Sequence, residues 1–275
     1  MARICTVIAT SHSPFLFRPL PWWNSVRDAR SRAPGAPVDS DAENANKLTR
    51  TQAAQAQLKA VFQAAKPDIA VVFGDDQEEQ FTLHTMPPLA LFVGESFAGY
   101  RAVAYEGTPG VPGGRKLLPK TAEHWVQVNA HPQLARFLLQ HWMRSGFDPA
   151  YMTALPNAEH GMGHAFMRPM STLTSGRFDV PVVPVLINCF YAPQPSAKRC
   201  VAAARAIRAA IEGWPQDLNV AVIGSGGLWH TPGAKDAYID ETFDRAILER
   251  LAAGDADGMA RYFDDWQPPA EHAQL

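Results

Sequence analysis

Asp68-Ile-Ala-Val-Val-Phe-Gly74, running directly into Asp75-Asp76-Gln77, reads as a buried strand that stops on a polar turn. An unbroken apolar run from Ile69 to Phe73 belongs to a strand covered on both faces rather than one with a wet side. Upstream, Asp39 to Ala65 repeats Ala45, Leu48, Ala53, Ala56, Leu58, Ala60 and Val61 at helical spacing. Ser40 or Asp39 caps that helix and Pro67 ends it. Outward from this pair the same punctuation recurs. Ile4 to Ala9, Leu89 to Val93, Ala102 to Tyr105, Pro181 to Asn188 and Asn219 to Gly224 read as strands. The first is expected to be buried, and the prolines of the fourth argue for a sheet edge or irregular pairing. Pro132 to Ser145, Ser196 to Gly213, Ala237 to Ala253 and Met259 to Trp266 read as helices. Residues 18–40, with Pro19, Pro21, Pro34 and Pro37, and the Gly/Pro-rich 107–120 read as loops. The alternation predicts an α/β fold, a central mixed sheet with helices on both faces. No linker or repeat divides the chain, so one catalytic domain is expected over 1–275.

The composition narrows the partners. A formal charge of −2 leaves no broad basic field for nucleic acid or an anionic membrane. Cys5, Cys189 and Cys200 form no CxxC pair, which argues for a reducing compartment. The apolar run before Ser11-His12-Ser13-Pro14 is too short for a signal-peptide core or a membrane span. A cytoplasmic protein is expected.

In a sheet of this kind, ligands gather where strands end. Polar clusters stand at Thr10-Ser11-His12-Ser13-Pro14, Gly74-Asp75-Asp76-Gln77, Glu159-His160-Gly161 and Gly224-Ser-Gly-Gly-Leu-Trp-His230. Glu241 follows one loop after the last. Imidazoles and a carboxylate converging from separate strand ends would make a facial metal triad, leaving the opposite positions open for substrate and oxygen. His160 and His164 are four apart and could share a helix face as ligands; alternatively one serves catalysis and the other bonds locally. Gly224 to Gly227 lacks both GxGxxG spacing and a P-loop lysine, which argues against a phosphate cradle.

Taken in order, these clusters resemble the class III extradiol ring-cleavage dioxygenases, the family of the protocatechuate 4,5-dioxygenase catalytic subunit. The resemblance rests on His12 in Ser-His-Ser-Pro, Val-Val-Phe-Gly-Asp-Asp, Glu159-His160-Gly161, Pro181 to Asn188, Gly226-Gly-Leu-Trp-His230 and Ile239-Asp-Glu241-Thr-Phe-Asp244. It implies His12 and Glu241 as metal ligands, His230 as the acid and base beside the substrate, and His160 as a second substrate-contacting histidine. It also implies iron(II) or another divalent metal, an aromatic diol and O2 as substrates, and a homo-oligomer with or without a small partner subunit. One departure is chemical. The family's second metal-binding histidine follows an aspartate, whereas here Asp76 is followed by Gln77, a harder and weaker donor. Glu78, Glu79 and His84 are candidates to replace it. The substitution keeps three other readings in play: the same scaffold with another metal or a non-oxygenase reaction, a non-catalytic partner subunit, or a binding protein without turnover.

Overall fold

The computed structural model describes residues 1–29, 38–107, 116–229 and 239–267. Its strands are β1 (Arg3–Ser11), β2 (Ile69–Gly74), β3 (Leu89–Phe92), β4 (Ser96–Tyr100), β5 (Tyr105–Glu106), β6 (Lys116–Leu117), β7 (Trp125–Asn129), β8 (Ala150–Met152), β9 (Val182–Ile187) and β10 (Asn219–Gly226). Its α-helices are α1 (Leu20–Ala29), α2 (Asp41–Ala65), α3 (Pro132–Arg144), α4 (His164–Leu173), α5 (Ala197–Glu212), α6 (Glu241–Ala252) and α7 (Ala256–Asp265). The central sheet has the order β1-β10-β2-β9-β3-β8. β1, β10, β2 and β9 run parallel, β3 is antiparallel to β9, and β8 is parallel to β3. The sheet is mixed, as its sequence pattern implies.

Side chains alternate across a strand, so the β2 run serves two cores at once. Ile69 and Val71, with Leu89, Leu91, Val183 and Val185, meet Leu134, Leu138 and Trp142 of α3 and Ile207 and Ile211 of α5. Ala70 and Val72, with Ala90 and Phe92, turn the other way onto Phe62 of α2 and Ala165, Phe166 and Met170 of α4. That double coverage is why the run contains no polar residue. α2 begins on a reciprocal cap: the Glu43 N–H donates to Ser40 Oγ at 3.2 Å and the Ser40 N–H donates to Glu43 Oε2 at 2.6 Å. It ends at Lys66 in the left-handed region, with Pro67 unable to continue it. Among the described residues, no helix is long and apolar enough to cross a membrane.

Several local expectations are corrected. Residues 18–40 are not all loop, because Leu20–Ala29 is helical with Trp23 and Val26 buried on one face. Pro21 lies in its first turn, where the missing N–H breaks no helical bond. The first strand is an edge rather than a buried strand, and Val7 is 71% exposed. β9, expected at an edge or irregularly paired, is not an edge but lies between β2 and β3. The Ala70 N–H donates to Pro181 O, and strand alternation then points the Pro184 nitrogen away from β2. On the other side, pairing with β3 starts only at Val185 opposite Leu91, so Pro184 removes no bond from that ladder. The strand expected at 102–105 is reduced to β5 at Tyr105–Glu106, while Ser96–Tyr100 and its partner β7 are strands the apolar pattern does not announce.

Candidate metal centre

β1, β10 and β2 are adjacent and parallel, so their C-terminal ends share one rim of the sheet. The register sets Thr10 beside Ser225, Ser11 beside Gly226, and Phe73 beside Gly224. His12, Ser225 and Asp75 therefore arrive at one place from three strands. α4 brings a fourth group. A methyl group at Gly74 would stand 2.8 Å from Ala165 Cβ, so a bare glycine at the end of β2 is what lets the first turn of α4 close against it. His164, the first residue of that helix, is carried to the same rim.

The result is a compact donor set. His12 Nε2 lies 3.7 Å from Asp75 Oδ1, and the His12 and His164 ring centroids are 4.6 Å apart at 73°. One donor atom from each of His12, Asp75 and His164 lies within 4.8 Å of the other two. The remaining ring nitrogens are engaged. His12 Nδ1 lies 3.0 Å from Ser225 Oγ, and His164 Nδ1 lies 2.8 Å from Glu79 Oε1. With Nδ1 of each ring holding its proton toward these partners, Nε2 keeps its lone pair, the arrangement of a metal-ligating histidine. Asp75 Oδ2 accepts the Gln77 amide N–H at 2.8 Å, while Asp75 Oδ1 is buried and accepts no hydrogen bond among the described residues. A buried carboxylate oxygen left without a donor costs about 1–3 kcal/mol. A cation satisfies it. Two imidazoles and one carboxylate are a donor set suited to a divalent transition metal, so these residues fit such an ion.

The charge states agree with that role. Burial pushes the His12 imidazolium down to about 4, outweighing the opposing pull of Asp75, so the ring is neutral near pH 7. Burial raises the Glu79 carboxyl, but its hydrogen bonds from the His164 ring and backbone N–H pull the other way and it is held below the usual range. Asp76 is pushed up to about 6 by burial, although the Phe81 and Gln80 N–H groups pull the other way. Those two N–H groups each donate to an Asp76 oxygen at 2.9 Å. Gln80, itself buried, then crosses to the loop before α4, donating to Gly161 O at 2.7 Å and accepting the Asn157 N–H at 3.2 Å. The loop after β2 and the loop before α4 are thereby tied into one framework.

The model of the catalytic LigB subunit of aromatic ring-opening dioxygenase matches residues 38–268. The chain belongs to this LigB family. Gallate dioxygenase of Pseudomonas putida is 32% identical over 127 residues, 45% of this chain and 36% of the relative. The 2,3-dihydroxyphenylpropionate/2,3-dihydroxicinnamic acid 1,2-dioxygenase of Escherichia coli is 31% identical over 172 residues, 62% of this chain and 45% of the relative. The enzyme of the same name from Klebsiella pneumoniae is 31% identical over 171 residues, with the same coverage of 62% and 45%. The chain thus spans less than half the length of these relatives.

Within this LigB-family chain, the residues singled out by sequence are not all brought together. His12 stands in the cluster. Gln77 is next to it, its amide N–H directed at Asp75. Glu241, the first residue of α6, is exposed and outside the cluster. His230 falls outside the described residues. His160 is half-buried in the loop before α4, with Nδ1 3.2 Å from Gly161 O. Because α4 begins at His164, the two histidines do not share a helix face. Of the replacements considered for Gln77, His84 is exposed, Glu78 faces Tyr191 Oη at 3.3 Å, and Glu79 is buried against His164. Asp75 and the pairing of His164 with Glu79 escaped the sequence reading. The signal for Asp75 was an acid at a strand's C-terminal end, but nothing in the sequence separates it from Asp76.

Proposed function

We propose that this chain opens the ring of a catechol-like aromatic with O2, using iron(II) held by His12, Asp75 and His164. The observation that carries the reading is the buried, hydrogen-bond-free Asp75 Oδ1 facing His12 Nε2 at 3.7 Å. Family membership supports it, and so do the relatives named as dioxygenases of gallate and of a 2,3-dihydroxyphenyl acid. When bound, iron(II) would supply a redox-active Lewis acid that lets electron density pass between an aromatic diol and O2. In the reaction one ring carbon–carbon bond breaks and both oxygen atoms of O2 enter the product.

The protein's part is orientation and proton handling. Ser225 and Glu79 fix the two imidazoles, and Gln77 fixes the carboxylate. His230 takes a diol proton and returns it after ring opening, an imidazole being suited to both directions near pH 7. His160 hydrogen-bonds a substrate oxygen. The enzyme is cytoplasmic and homo-oligomeric on this reading, with or without a small partner subunit. The ligand set implied by the family resemblance, His12 and Glu241 with Gln77 in place of a histidine, shares only His12 with the clustered set. In the clustered set Gln77 is a positioning residue.

The test is anaerobic iron(II) loading with metal analysis. An oxygen electrode then follows uptake over a panel of catechol, protocatechuate, gallate and 2,3-dihydroxyphenylpropionate. One O2 consumed per ring opened is expected, with Asp75→Asn and His164→Gln losing both iron and turnover. Iron bound without oxygen uptake would transfer the site to a different, non-oxygenase reaction. Iron retained by those two variants but lost from Gln77→Ala and Glu241→Gln would establish the other ligand set.

A further inference from the structure

We infer that Arg168 is a positioning residue for His12, its guanidinium holding the His12 main chain where the sheet no longer does. The inference rests on His12 being a metal ligand, the one position common to both ligand sets given above. The β1 ladder ends with Ser11 opposite Gly226, so the His12 carbonyl lies beyond the last strand pairing. His12 is only 8% exposed, and the carbonyl of so buried a residue needs a donor. Arg168, one turn into α4, supplies it, with Nη1 donating to His12 O at 2.7 Å. Nε of the same guanidinium donates to Ala102 O at 2.8 Å, in the loop after β4.

A guanidinium is planar and the directions of its N–H groups are fixed, so its two carbonyl partners are placed together relative to α4. The chain beyond them is tied as well. Arg18 donates to Tyr105 O and Trp22 Nε1 donates to Gly107 O at 2.8 Å, which joins the stretch after β1 to the stretch after β4. At the ring, His12 Nδ1 lies 3.0 Å from Ser225 Oγ. Ring and main chain are therefore held separately. Ser225 limits how the ring turns, Arg168 fixes where its Cα stands, and Nε2 is aimed only while both hold. Charge alone would act the other way. A fixed cation next to His12 repels a bound metal ion, so electrostatics predicts tighter binding without Arg168 and positioning predicts weaker binding.

Cobalt(II) titration of the purified full chain tests this, with circular dichroism and thermal unfolding of the metal-free protein as the folding control. Arg168→Lys keeps the charge without the fork, and Arg168→Met removes both. Each should weaken cobalt(II) binding about 10-fold. The NMR signal of the His12 ring N–H should also be lost to solvent exchange in Arg168→Lys, although Ser225 is untouched. Natural affinity in Arg168→Lys, or unchanged or tighter binding in Arg168→Met, would overturn the inference. Should both variants fail to fold, the natural chain decides. In its cobalt(II) form the Arg168 Nε–H should be shifted by the metal and slow to exchange, and an unshifted, freely exchanging signal would overturn the inference too. If His12→Gln binds cobalt(II) as tightly as the natural chain, His12 is no ligand and the reading above fails first. If His12→Gln loses the ion while Arg168→Lys retains it, only the role of Arg168 falls.

Discussion

At the scale of single residues, His12 carries the most testable electrostatics. Its ring is buried between Ser225, Asp75 and His164, and burial sets its folded-state proton affinity well below that of the unfolded chain. Below pH 6.5 the unfolded chain takes up a proton that the folded site resists, so the folded state loses ground as pH falls toward 4. From about 6.5 to about 4 the loss from this one group approaches 3 kcal/mol. Urea unfolding of the metal-free protein at pH 7, 6 and 5 should show it. His12→Asn should flatten the slope across that interval. An unchanged slope would mean that His12 titrates normally. Position 12 was identifiable from its place after the first strand, while its partner Asp75 was not. Asp75 and Asp76 are adjacent and chemically identical, and only the fold points one at His12 and the other at the Gln80 and Phe81 N–H groups.

At the scale of elements, the site depends on the loop before α4 holding its course. Gly161 has φ 77°, its carbonyl accepts from Gln80, and a methyl group there would overlap the Trp125 ring and stand 2.7 Å from Ala98 O. Gly146, after α3, has φ 79° with open space around it. Gly146→Ala meets only the conformational cost, about 1–2 kcal/mol. Gly161→Ala adds overpacking against ring and backbone, for about 2–5 kcal/mol in sum. Paired denaturation curves should show that gap, and cobalt(II) affinity should fall in Gly161→Ala alone because β4, β7 and the α4 start would all shift. α4 itself was hard to read from sequence. It holds Pro169 within it and is buried over Ala165, Phe166, Met167 and Met170, so neither a polar stripe nor an uninterrupted run marks it. α2 and α5 were legible from their spacing and their caps, Ser40 and Ser196.

At the scale of the molecule, the proposed metal site would couple ion binding to folding, because positions 12, 75 and 164 belong to no single element. An ion that binds only the assembled site stabilises the fold by about 2.7 kcal/mol at 100 times its Kd. For a chain of this size that corresponds to roughly 5 °C in Tm. Iron(II) added anaerobically should raise the unfolding temperature by about that amount and a chelator should reverse it, while His12→Gln should abolish the rise. A chain whose Tm ignores iron(II) would have no assembled site. The edge strand β1, with Val7 exposed, forms the sheet's margin and leads directly into His12.

The amino-acid order alone established the α/β class, the helix-covered β2 strand and the family resemblance, and it singled out position 12 as a candidate. Each of these is written in local periodicity or in motifs carried by consecutive residues. What tertiary structure decided was the company His12 keeps. Parallel register across β1, β10 and β2, and the close approach of Ala165 to Gly74, turn distances of tens of residues into a few ångströms. Such convergence depends on strand order and helix packing, which are properties of the whole sheet and leave no mark on any one stretch of chain.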